Sequence, residues 1–349
     1  MHADVSRWFA HRGSHVSDWA LPAVLDGKGD VRVSVVLPAL NEQATVGPIV
    51  AAIRRELVDR TGLVDELVVM DSGCTDATAA VAAAAGARVV RREDVLPEFE
   101  PLPGKGEVLW RSLAATTGDV LVFVDADLRD FTPSFVVGLL GPLLADPTVH
   151  LVKATYDRPL WTPRQRLGLP FGLPFRWPYP RPAVVPGGGG RVTELVARPL
   201  LNLHWPELAG FAQPLSGEYA ARRGLLERLP FPTGYGVELG LLVDALRLVG
   251  LDGLAQVDLE RRRHRHQSDT RLGLMASEIL QTALRRLEGE GRLTLAGPVG
   301  TALTQFERAG AGYVVRTTEV RPVERPPLTD VPSYRPNCAA DAASGRGRR

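Results

Sequence analysis

Short apolar runs alternate with helical patterns along the first half of the chain. Three largely apolar runs, at residues 33–37, 67–70 and 120–124, are typical of buried strands, and each leads into a polar turn. Apolar residues at helical spacing cover residues 45–57 and 107–115. This alternation predicts a doubly wound α/β sheet. Because ligands of such sheets lie at the carboxyl ends of the strands, we expect the polar turns to meet in one crevice.

The same pattern divides the chain into five segments. A stretch rich in proline and aromatic residues separates two α/β halves, and we interpret it as a surface loop, with a lid over the site as the alternative. The end of the chain, from about residue 321, is rich in Pro, Arg, Ala and Gly and is expected to be disordered. The segments are an N-terminal arm (1–30), a first α/β half (31–156), the proline-rich loop (157–187), a second α/β half (188–290) and a C-terminal extension that is largely a flexible tail (291–349).

Four local elements are predicted outside the three strands. The N-terminal arm holds a short helix at residues 16–24. In the second half, residues 214–219 form a compact polar turn that leads into a helix. Residues 255–259 form a strand, and residues 272–287 form an amphipathic helix.

Composition narrows the class of protein. The chain has 349 residues, and 41 Lys and Arg against 40 Asp and Glu give a net charge of +1, which offers no reason to expect nucleic acid as a partner. Two cysteines, Cys74 and Cys338, cannot build a disulfide framework, which fits a reducing cytoplasm. The N-terminus lacks the features of a signal peptide, and no apolar run is long enough to span a bilayer. We therefore expect a cytoplasmic protein without membrane insertion.

Two carboxylates, Asp125 and Asp127, stand directly after the third apolar run. Carboxylate oxygens at the end of a buried strand suit Mg²⁺ or Mn²⁺, and such an ion can also hold a diphosphate through its oxygens. We expect Asp127 to bind the metal directly, and Asp125 to contact a nucleoside or to reach the metal through water. The structural alternative is a pair of aspartates that cap the next turn.

The turns after the first two strands predict a nucleoside pocket. Residues 38–42, with the sequence Pro-Ala-Leu-Asn-Glu, expose backbone groups that suit a uracil edge, and Glu42 is placed for a ribose diol. Asp71 and Ser72 occupy the parallel position after the second strand. For Glu42, an acid that interacts with the dipole of the following helix is an equally good interpretation.

Two glycine-rich segments predict anion binding. Lys105 lies between Gly104 and Gly106, which allow the backbone to approach a ligand closely, and its ammonium suits a phosphate. The run 187–193 leads into a helix, where N–H groups, the helix dipole and the side chain of Arg191 favour an anion. An ordinary exposed lysine and a flexible hinge are the structural alternatives.

Two further pairs are candidates for the same crevice. Arg262 and His264 follow the strand at 255–259, and a neutral imidazole can bind a metal while an arginine can hold an anionic co-substrate. Tyr235 and Glu238 are one helical turn apart and can reach that co-substrate. The alternatives are a solvated basic face for the first pair and ordinary helix-start residues for the second.

Seven motifs in this order resemble the GT-A glycosyltransferases, and most closely the retaining glucosyl-3-phosphoglycerate synthases with their mannosyl-3-phosphoglycerate synthase relatives. The resemblance runs from about residue 31 to about residue 287, and the third, fifth and sixth motifs are far more specific than the others. The motifs are V-V-L-P-A-L-N-E (35–42), V-D-E-L-V-V-M-D-S-G-C-T-D (64–76), P-G-K-G-E-V-L-W-R-S-L-A-A-T (103–116), D-A-D (125–127), G-G-G-R-V-T-E-L-V-A-R-P-L-L (188–201), Q-P-L-S-G-E-Y-A (213–220) and G-Y-G-V-E (234–238).

The resemblance implies a GT-A (Rossmann-like) nucleotide-sugar-binding sheet with a C-terminal acceptor-binding α/β portion, and a homodimer. The chain departs from the family pattern at Cys74 and Ala126, where serine is expected, and at His266, where asparagine is expected. The implied roles are donor binding by Pro38, Ala39, Leu40, Glu42, Ser72, Lys105, Asp125 and Ala126, metal binding by Asp127 and His264, acceptor binding by Gly190, Arg191, Val192, Thr193, Tyr235, Glu238, Arg262 and His266, and catalysis by Asp127, Lys105 and Glu238.

The predicted activity is transfer of glucose from UDP-glucose, or another NDP-glucose, to the 2-hydroxyl of 3-phosphoglycerate with retention of configuration and with Mg²⁺ or Mn²⁺. No residue stands out as a nucleophile, which favours a front-face mechanism. One alternative is a mannosyl enzyme that uses GDP-mannose, and another is an inverting transferase, which usually carries membrane helices or a Q-x-x-R-W motif. A third is a sugar-nucleotide-binding protein without catalytic activity.

Overall fold

Strands and helices alternate through most of the chain, as the apolar pattern predicts. The computed structural model describes residues 2–157, 160–162, 183–185, 190–261, 268–321 and 323–335. The strands are β1 (Gly13–His15), β2 (Val33–Ala39), β3 (Glu66–Asp71), β4 (Arg88–Arg91), β5 (Val120–Phe123), β6 (Leu151–Asp157), β7 (Leu160–Thr162), β8 (Ala183–Val185), β9 (Tyr219–Arg222), β10 (Phe231–Pro232), β11 (Leu254–Arg261), β12 (Ala302–Ala309), β13 (Gly312–Glu319) and β14 (Glu324–Arg325).

Helices pack on both faces of the central sheet. Within the described ranges, every helix falls short of the length or the apolar character that a bilayer span requires. Turns of π-helix at Arg54–Asp59 and Thr193–Ala197 adjoin two of the α-helices. The α-helices are α1 (Ala3–Arg12), α2 (Leu21–Lys28), α3 (Val46–Ile53), α4 (Thr78–Ala84), α5 (Lys105–Ala115), α6 (Ser134–Ala145), α7 (Arg198–His204), α8 (Arg223–Leu226), α9 (Val237–Val249) and α10 (Asp269–Gly289).

Eight strands form one sheet in the order β1-β11-β6-β9-β5-β2-β3-β4. Neighbouring strands run parallel except at β9, which is antiparallel to both β5 and β6. The strand pairs β7–β8, β10–β14 and β12–β13 form three smaller sheets. The predicted α/β fold is confirmed, with one antiparallel strand inserted at the centre of the sheet.

Residues along β2 alternate between the two hydrophobic cores. Val35 and Leu37 face the core formed with α3 and α6, whereas Val36 faces the core formed with α5 and α9. Because successive side chains of a strand point to opposite faces, a central strand covered on both sides is apolar at nearly every position. This explains why the runs at 33–37, 67–70 and 120–124 predicted buried strands correctly.

The helix expected after the turn at 214–219 is wrong, because a strand comes first. Tyr219, Ala220 and Ala221 are fully buried in β9 and pair with β5 on one side and β6 on the other. A four-residue strand is too short to show a period in the sequence, and its conformation is decided by the gap between two distant strands. Only then does the short helix α8 follow.

The helix expected at residues 16–24 is also wrong as drawn. Residues 13–15 form β1 and pair in parallel with β11, and Val16–Asp18 is a single 3₁₀ turn. Helix α2 starts only at Leu21, which places Pro22 in its first turn. A proline is tolerated there, but it would break a helix that had already begun at residue 16.

The C-terminal segment 323–335 packs against the core formed with α5 and α9. The disorder expected from the sequence is therefore wrong for these residues. The carbonyl of Val323 accepts the backbone N–H of Thr233 at 2.9 Å, and β14 pairs with β10. Leu328 and Val331 are buried. The composition of the tail predicted disorder because it lacks apolar runs. A few buried side chains are nevertheless enough to order the segment when they pack against a surface that is already folded.

One buried ion network joins this segment to α5. Glu107 has no solvent exposure and accepts hydrogen bonds from Arg111 Nε at 2.6 Å and from Arg325 Nε at 2.6 Å. The Arg325 guanidinium lies 5.4 Å from the ring centroid of Trp110, whose indole N–H donates to the carbonyl of Pro326 at 2.8 Å. The end of the chain therefore anchors the helix that begins at Lys105.

Candidate active site

The carboxyl ends of β2, β3 and β5 open into one cleft of about 810 Å³. Every site residue implied by the resemblance that falls within the described ranges lines this cleft, whereas Arg262, His264 and His266 lie outside those ranges. The lining candidates are Pro38, Ala39, Leu40, Glu42, Ser72, Lys105, Asp125, Ala126, Asp127, Gly190, Arg191, Val192, Thr193, Tyr235 and Glu238.

The turns after β2 and β3 are tied to each other by side-chain hydrogen bonds. Asn41, which has a φ of 58°, accepts the backbone N–H of Thr75 on its side-chain oxygen at 2.8 Å. The backbone N–H of Glu42 donates to the hydroxyl of Thr78 at 2.8 Å. These cross-links fix the walls of the cleft before any ligand enters.

Cys74 takes part in the same cross-linking. Its Sγ accepts the backbone N–H of Asn41 at 3.3 Å and donates to the carbonyl of Ala39 at 3.4 Å. Burial, helped by the nearby Asp71 carboxylate, raises the pKa of the Cys74 thiol to about 11. The thiol stays protonated at neutral pH, so it acts here as a hydroxyl-like bridge between the two turns.

Asp71 shapes the second turn. Its carboxylate accepts the backbone N–H groups of Gly73 at 3.0 Å and Cys74 at 2.7 Å. Asp71 itself is buried, while its neighbour Ser72 faces the cleft. Of these two candidates, Asp71 therefore stabilises the turn, and Ser72 is the one placed to contact a ligand.

Lys105 lies at the centre of a charge cluster in the cleft. Its Nζ is 2.6 Å from Asp125 Oδ1 and 3.0 Å from Glu238 Oε1. Burial by itself would lower the pKa of Lys105, but the combined attraction of Asp125 and Glu238 outweighs it and holds the pKa well above its usual range. The ammonium is therefore charged at any physiological pH.

The glycines around Lys105 serve packing against the protein's own backbone. Gly104 has a φ of +116°, and a Cβ built on it would lie 2.2 Å from the carbonyl oxygen of Thr233. A Cβ on Gly106 would lie 1.8 Å from the carbonyl oxygen of Pro232. The two glycines were expected to admit a ligand, whereas the structure shows that they admit residues 232–234, next to Tyr235 and Glu238.

The two aspartates after β5 have different surroundings. Asp125 is paired with Lys105, and Asp127 lies half-buried in the wall of the same cleft. No group of three or more His, Cys, Asp or Glu side chains placed to hold a metal occurs among the described residues. Oxygen from one carboxylate, completed by phosphate and water, still suits Mg²⁺ or Mn²⁺, which take few protein ligands.

The opposite wall is formed by residues 190–193. Gly190 turns the chain with a φ of +83°, and Val192 and Thr193 are buried. Arg191 remains 44% exposed and forms an ion pair with Asp269, which is 87% exposed. Because such exposed pairs contribute little free energy, Arg191 can exchange this partner for another anion.

Two parts of the cleft were missed by sequence reasoning. Helix α10 was predicted as amphipathic, but its pattern does not show what its buried face meets. The carboxylate of Glu278 on this helix accepts the backbone N–H of Tyr235, and burial raises the pKa of Glu278. The missed lining residues on α10 are Leu272, Met275, Glu278 and Ile279. Those at and after the end of β13 are Glu319, Val320, Arg321 and Val323.

The first half of this cleft matches a known enzyme class. The family model described as glycosyl transferase family 2 matches residues 34–189, which include the turns after β2, β3 and β5. The chain is a glycosyltransferase with a GT-A type of fold. Similarity over nearly its whole length narrows the class, because the glucosyl-3-phosphoglycerate synthase of Mycolicibacterium smegmatis is 48% identical over 323 residues, 93% of this chain and 97% of that protein. The chain belongs to the glucosyl-3-phosphoglycerate synthase family.

Two solved structures are similar over most of the chain. The glucosyl-3-phosphoglycerate synthase of Mycobacterium tuberculosis, in complex with Mn²⁺, UDP-glucose and phosphoglyceric acid, is 46% identical with a TM-score of 0.74, covering 89% of this chain and 95% of that one. The same enzyme is also known in complex with Mg²⁺ and UDP. The mannosyl-3-phosphoglycerate synthase of Rubrobacter xylanophilus is 37% identical with a TM-score of 0.81, covering 94% and 98%.

We predict that Gly106→Ala destabilises the protein, whereas Gly224→Ala does not. The new methyl group at 106 meets the Pro232 carbonyl, and overpacking of this kind costs about 1–3 kcal/mol. Gly224, in α8, has no atom within 4 Å of a built Cβ, so alanine there is expected to raise stability by a few tenths to about 1 kcal/mol. Urea unfolding followed by circular dichroism measures both changes. Equal stability of the two variants would contradict the packing described for Lys105.

Proposed function

We propose that this protein transfers glucose from UDP-glucose to the 2-hydroxyl of 3-phosphoglycerate, with retention of the anomeric configuration, as a metal-dependent hexosyltransferase. The observation that carries the proposal is one cleft that is lined by Asp127 and Lys105 and also by Arg191 and Thr193. A donor diphosphate and an anionic acceptor each need one such set of residues. The proposal is also supported by the relatives' activity and by the ligands bound in their structures.

The donor half is assigned to the turns after β2, β3 and β5. Residues 38–40 and Ser72 offer backbone and hydroxyl groups to the nucleoside, and Glu42 is placed for the ribose. Asp125 and Ala126 lie beside the diphosphate, where the ammonium of Lys105 stabilises its charge. Because the cross-links of Asn41 and Cys74 hold these turns in place, little ordering is left to occur when the donor binds.

The charge of the cleft supports a requirement for a divalent cation. Six carboxylates and four basic side chains line it within the described residues, so a diphosphate would enter an acidic site. Asp127, together with His264 outside the described ranges, would hold Mg²⁺ or Mn²⁺, which when bound neutralises the departing diphosphate. The carboxylates are those of Glu42, Asp125, Asp127, Glu238, Glu278 and Glu319, and the basic side chains are those of Arg92, Lys105, Arg191 and Arg321.

The acceptor half is assigned to residues 190–193. Backbone N–H groups at this helix start and the guanidinium of Arg191 suit the phosphate of 3-phosphoglycerate. The exposed Asp269 carboxylate would give up Arg191 to that phosphate. Tyr235 and Glu238 lie between the two halves of the cleft. Arg262 and His266 are further acceptor contacts implied by the resemblance.

The geometry favours a front-face mechanism. The carboxylates of Asp125 and Glu238 both contact the ammonium of Lys105, and this lowers their nucleophilicity. In the proposed step the bond between the anomeric carbon and the diphosphate breaks on the face where the bond to the acceptor oxygen forms. The departing phosphate oxygen takes the acceptor proton. Isolation of a covalent glycosyl-enzyme from a slow donor analogue would contradict this mechanism.

The choice of glucose over mannose is supported by sequence identity and not by backbone similarity. The mannosyl enzyme superposes with the higher TM-score, whereas the glucosyl enzymes share the higher identity. A TM-score compares the backbone that both activities share, while identity also counts the side chains that contact the hexose. For this reason we favour glucose, with mannose from GDP-mannose as the second candidate.

The test of the proposed function is a matrix of donors and acceptors with the purified protein and Mg²⁺ or Mn²⁺. UDP-glucose with 3-phosphoglycerate is expected to give the highest kcat/KM, measured as release of the nucleoside diphosphate and as formation of glucosyl-3-phosphoglycerate. Faster turnover of GDP-mannose would replace glucose by mannose. Tight binding of sugar nucleotides without turnover of any pair would identify a binding protein instead.

Asp127→Asn is predicted to lower kcat/KM on the order of 100-fold or more, because loss of a metal ligand removes several kcal/mol of transition-state stabilisation. The variant should also need more Mn²⁺ for half-maximal activity. Asp252→Asn is the matched control, since Asp252 is exposed in the turn at Leu251–Gly253. Activity is measured over a Mn²⁺ titration. An unchanged Mn²⁺ requirement in Asp127→Asn would show that Asp127 is not the ligand.

The homodimer implied by the resemblance remains a prediction, and the hairpin of β12 and β13 is the surface best suited to it. Phe306, Tyr313 and Val315 on this hairpin are each more than half exposed. An isolated two-stranded hairpin is marginally stable in water, so a second copy that covers these side chains would stabilise it. Light scattering measures the mass in solution, and a monomer at micromolar concentration would contradict the assignment.

The cytoplasm is the proposed location, and composition supports it. The chain has two cysteines, and no disulfide framework can be built from them. Cell fractionation with an antibody to the protein tests this, and recovery in a secreted fraction would contradict it.

A further inference from the structure

One lysine is buried in the middle of the sheet, and no carboxylate of the described residues forms an ion pair with it. Lys153 on β6 is 2% exposed, and its Nζ donates a hydrogen bond to the backbone carbonyl of Ser216 at 2.5 Å. The same Nζ lies 5.1 Å from the centroid of the Tyr219 ring. A buried ammonium without a hydrogen-bond acceptor is costly in free energy. The contact with Lys153 therefore strongly favours the observed position of the Ser216 carbonyl.

The peptide that Lys153 holds lies against the charge cluster of the cleft. Gly217 follows Ser216 directly, and a Cβ built on Gly217 would lie 2.4 Å from Asp125 Oδ2 and 2.4 Å from Lys105 Nζ. The backbone at Gly217 is thus packed against the ion pair between Lys105 and Asp125. A shift of this backbone would open space beside that pair or displace it.

The far end of the same loop is held from the neighbouring strand. Gln256 on β11 is the register partner of Lys153 on β6. Its amide donates to the carbonyl of Gly210 at 3.0 Å and accepts the backbone N–H of Ala212 at 3.0 Å. Two adjacent polar side chains in the sheet therefore fix both ends of the loop 210–217.

We propose that Lys153 is a positioning residue for the transfer reaction: its ammonium holds the Ser216 carbonyl and so keeps Gly217 against the Lys105–Asp125 pair. It acts through the loop and does not touch the substrates. The proposal rests on the proposed function for its effect on turnover, whereas its structural part concerns the loop alone.

The charge of Lys153 makes the proposed effect dependent on pH. Burial lowers the pKa of Lys153 to about 8, because the attraction of the carboxylates near it does not offset the loss of hydration. The group is charged below that pH and becomes neutral as the pH rises through it, which weakens its hold on the carbonyl. The charged groups that act on it are Lys105 on α5, Asp125 after β5, Glu218 just before β9, and Glu238 on α9. The Tyr219 ring on β9 lies against it as well.

The chain contains three lysines, at positions 28, 105 and 153, which permits a matched comparison. Lys153→Met removes the ammonium, and Lys28→Met makes the same change at an ion pair with Asp65, outside the cleft. In Lys153→Met, kcat is expected to fall on the order of 10- to 100-fold, since small misplacements of catalytic groups have effects of this size. KM for both substrates should stay within about threefold of the wild type. The decline of activity above about pH 8 that we expect of the wild type and of Lys28→Met should be absent from Lys153→Met.

Hydrogen exchange of the backbone amides measures the order of the loop independently of enzyme activity. Amides of residues 213–218 should exchange about tenfold faster or more in Lys153→Met than in Lys28→Met. Unchanged exchange, or an unchanged kcat and pH profile, would overturn the proposal. If the wild type turns over no donor and acceptor pair, the proposed function fails while the exchange measurement still decides the role of Lys153 in the loop.

A measurement on the wild type covers the case in which Lys153→Met does not fold. Protein labelled with ¹³C at the lysine Cε gives one signal for each of the three lysines. One of them should titrate near pH 8, at the midpoint of the alkaline decline in kcat. Absence of a lysine signal that titrates near pH 8, or a decline at another pH, would overturn the proposal.

Discussion

The geometry of the cleft depends on one ammonium group. Lys105 is the first residue of α5, where the helix dipole disfavours a cation, and it is partly buried. Asp125 and Glu238 offset both costs, and in doing so they bring the end of β5 and the start of α9 to the same point. Removal of Lys105 would take away the cation that the partly buried carboxylates of Asp125 and Glu238 share, which is strongly destabilising. The cluster is therefore charged and fixed in place before a ligand arrives, and preorganised charge of this kind is what stabilises a leaving group.

The cluster in turn depends on close approach of backbone segments. Gly106 admits the Pro232 carbonyl, and Gly217 lies against the ion pair itself, at distances that no side chain would allow. Behind α5, the fully buried Glu107 is held by Arg111 and by Arg325 from the C-terminal segment. The position of Lys105 thus depends on residues more than 200 positions further along the chain. The C-terminal segment therefore supports the cleft even at residues that do not line the cleft.

Sequence reasoning located the parts of the site that follow from local rules. A buried strand shows itself as an apolar run, and strand ends of a parallel sheet share one edge, so residues 38–40, Glu42, Ser72 and Asp127 were expected in one crevice and lie there. The parts that it missed are decided by contacts distant in sequence. Strand β9 is set by the gap between β5 and β6, and the ordered tail is set by Glu107, neither of which leaves a periodic pattern nearby. The face of α10 was visible as an apolar stripe, but the stripe does not reveal that Glu278 would meet Tyr235.

The balance of charge explains why one cleft can serve two anions in turn. The described part of its lining is acidic on balance, so this part by itself attracts neither a diphosphate nor a phosphorylated acid. On the proposed function, a divalent cation and a sugar-nucleotide diphosphate cancel each other's charge, and their complex can enter without adding to the repulsion. The acceptor carries its own negative charge and needs a separate cation. Arg191 can supply it because its present partner, Asp269, is exposed and weakly bound. On the proposed function, the two substrates are therefore held by different means, a metal for the donor and an arginine with an exposed, exchangeable partner for the acceptor.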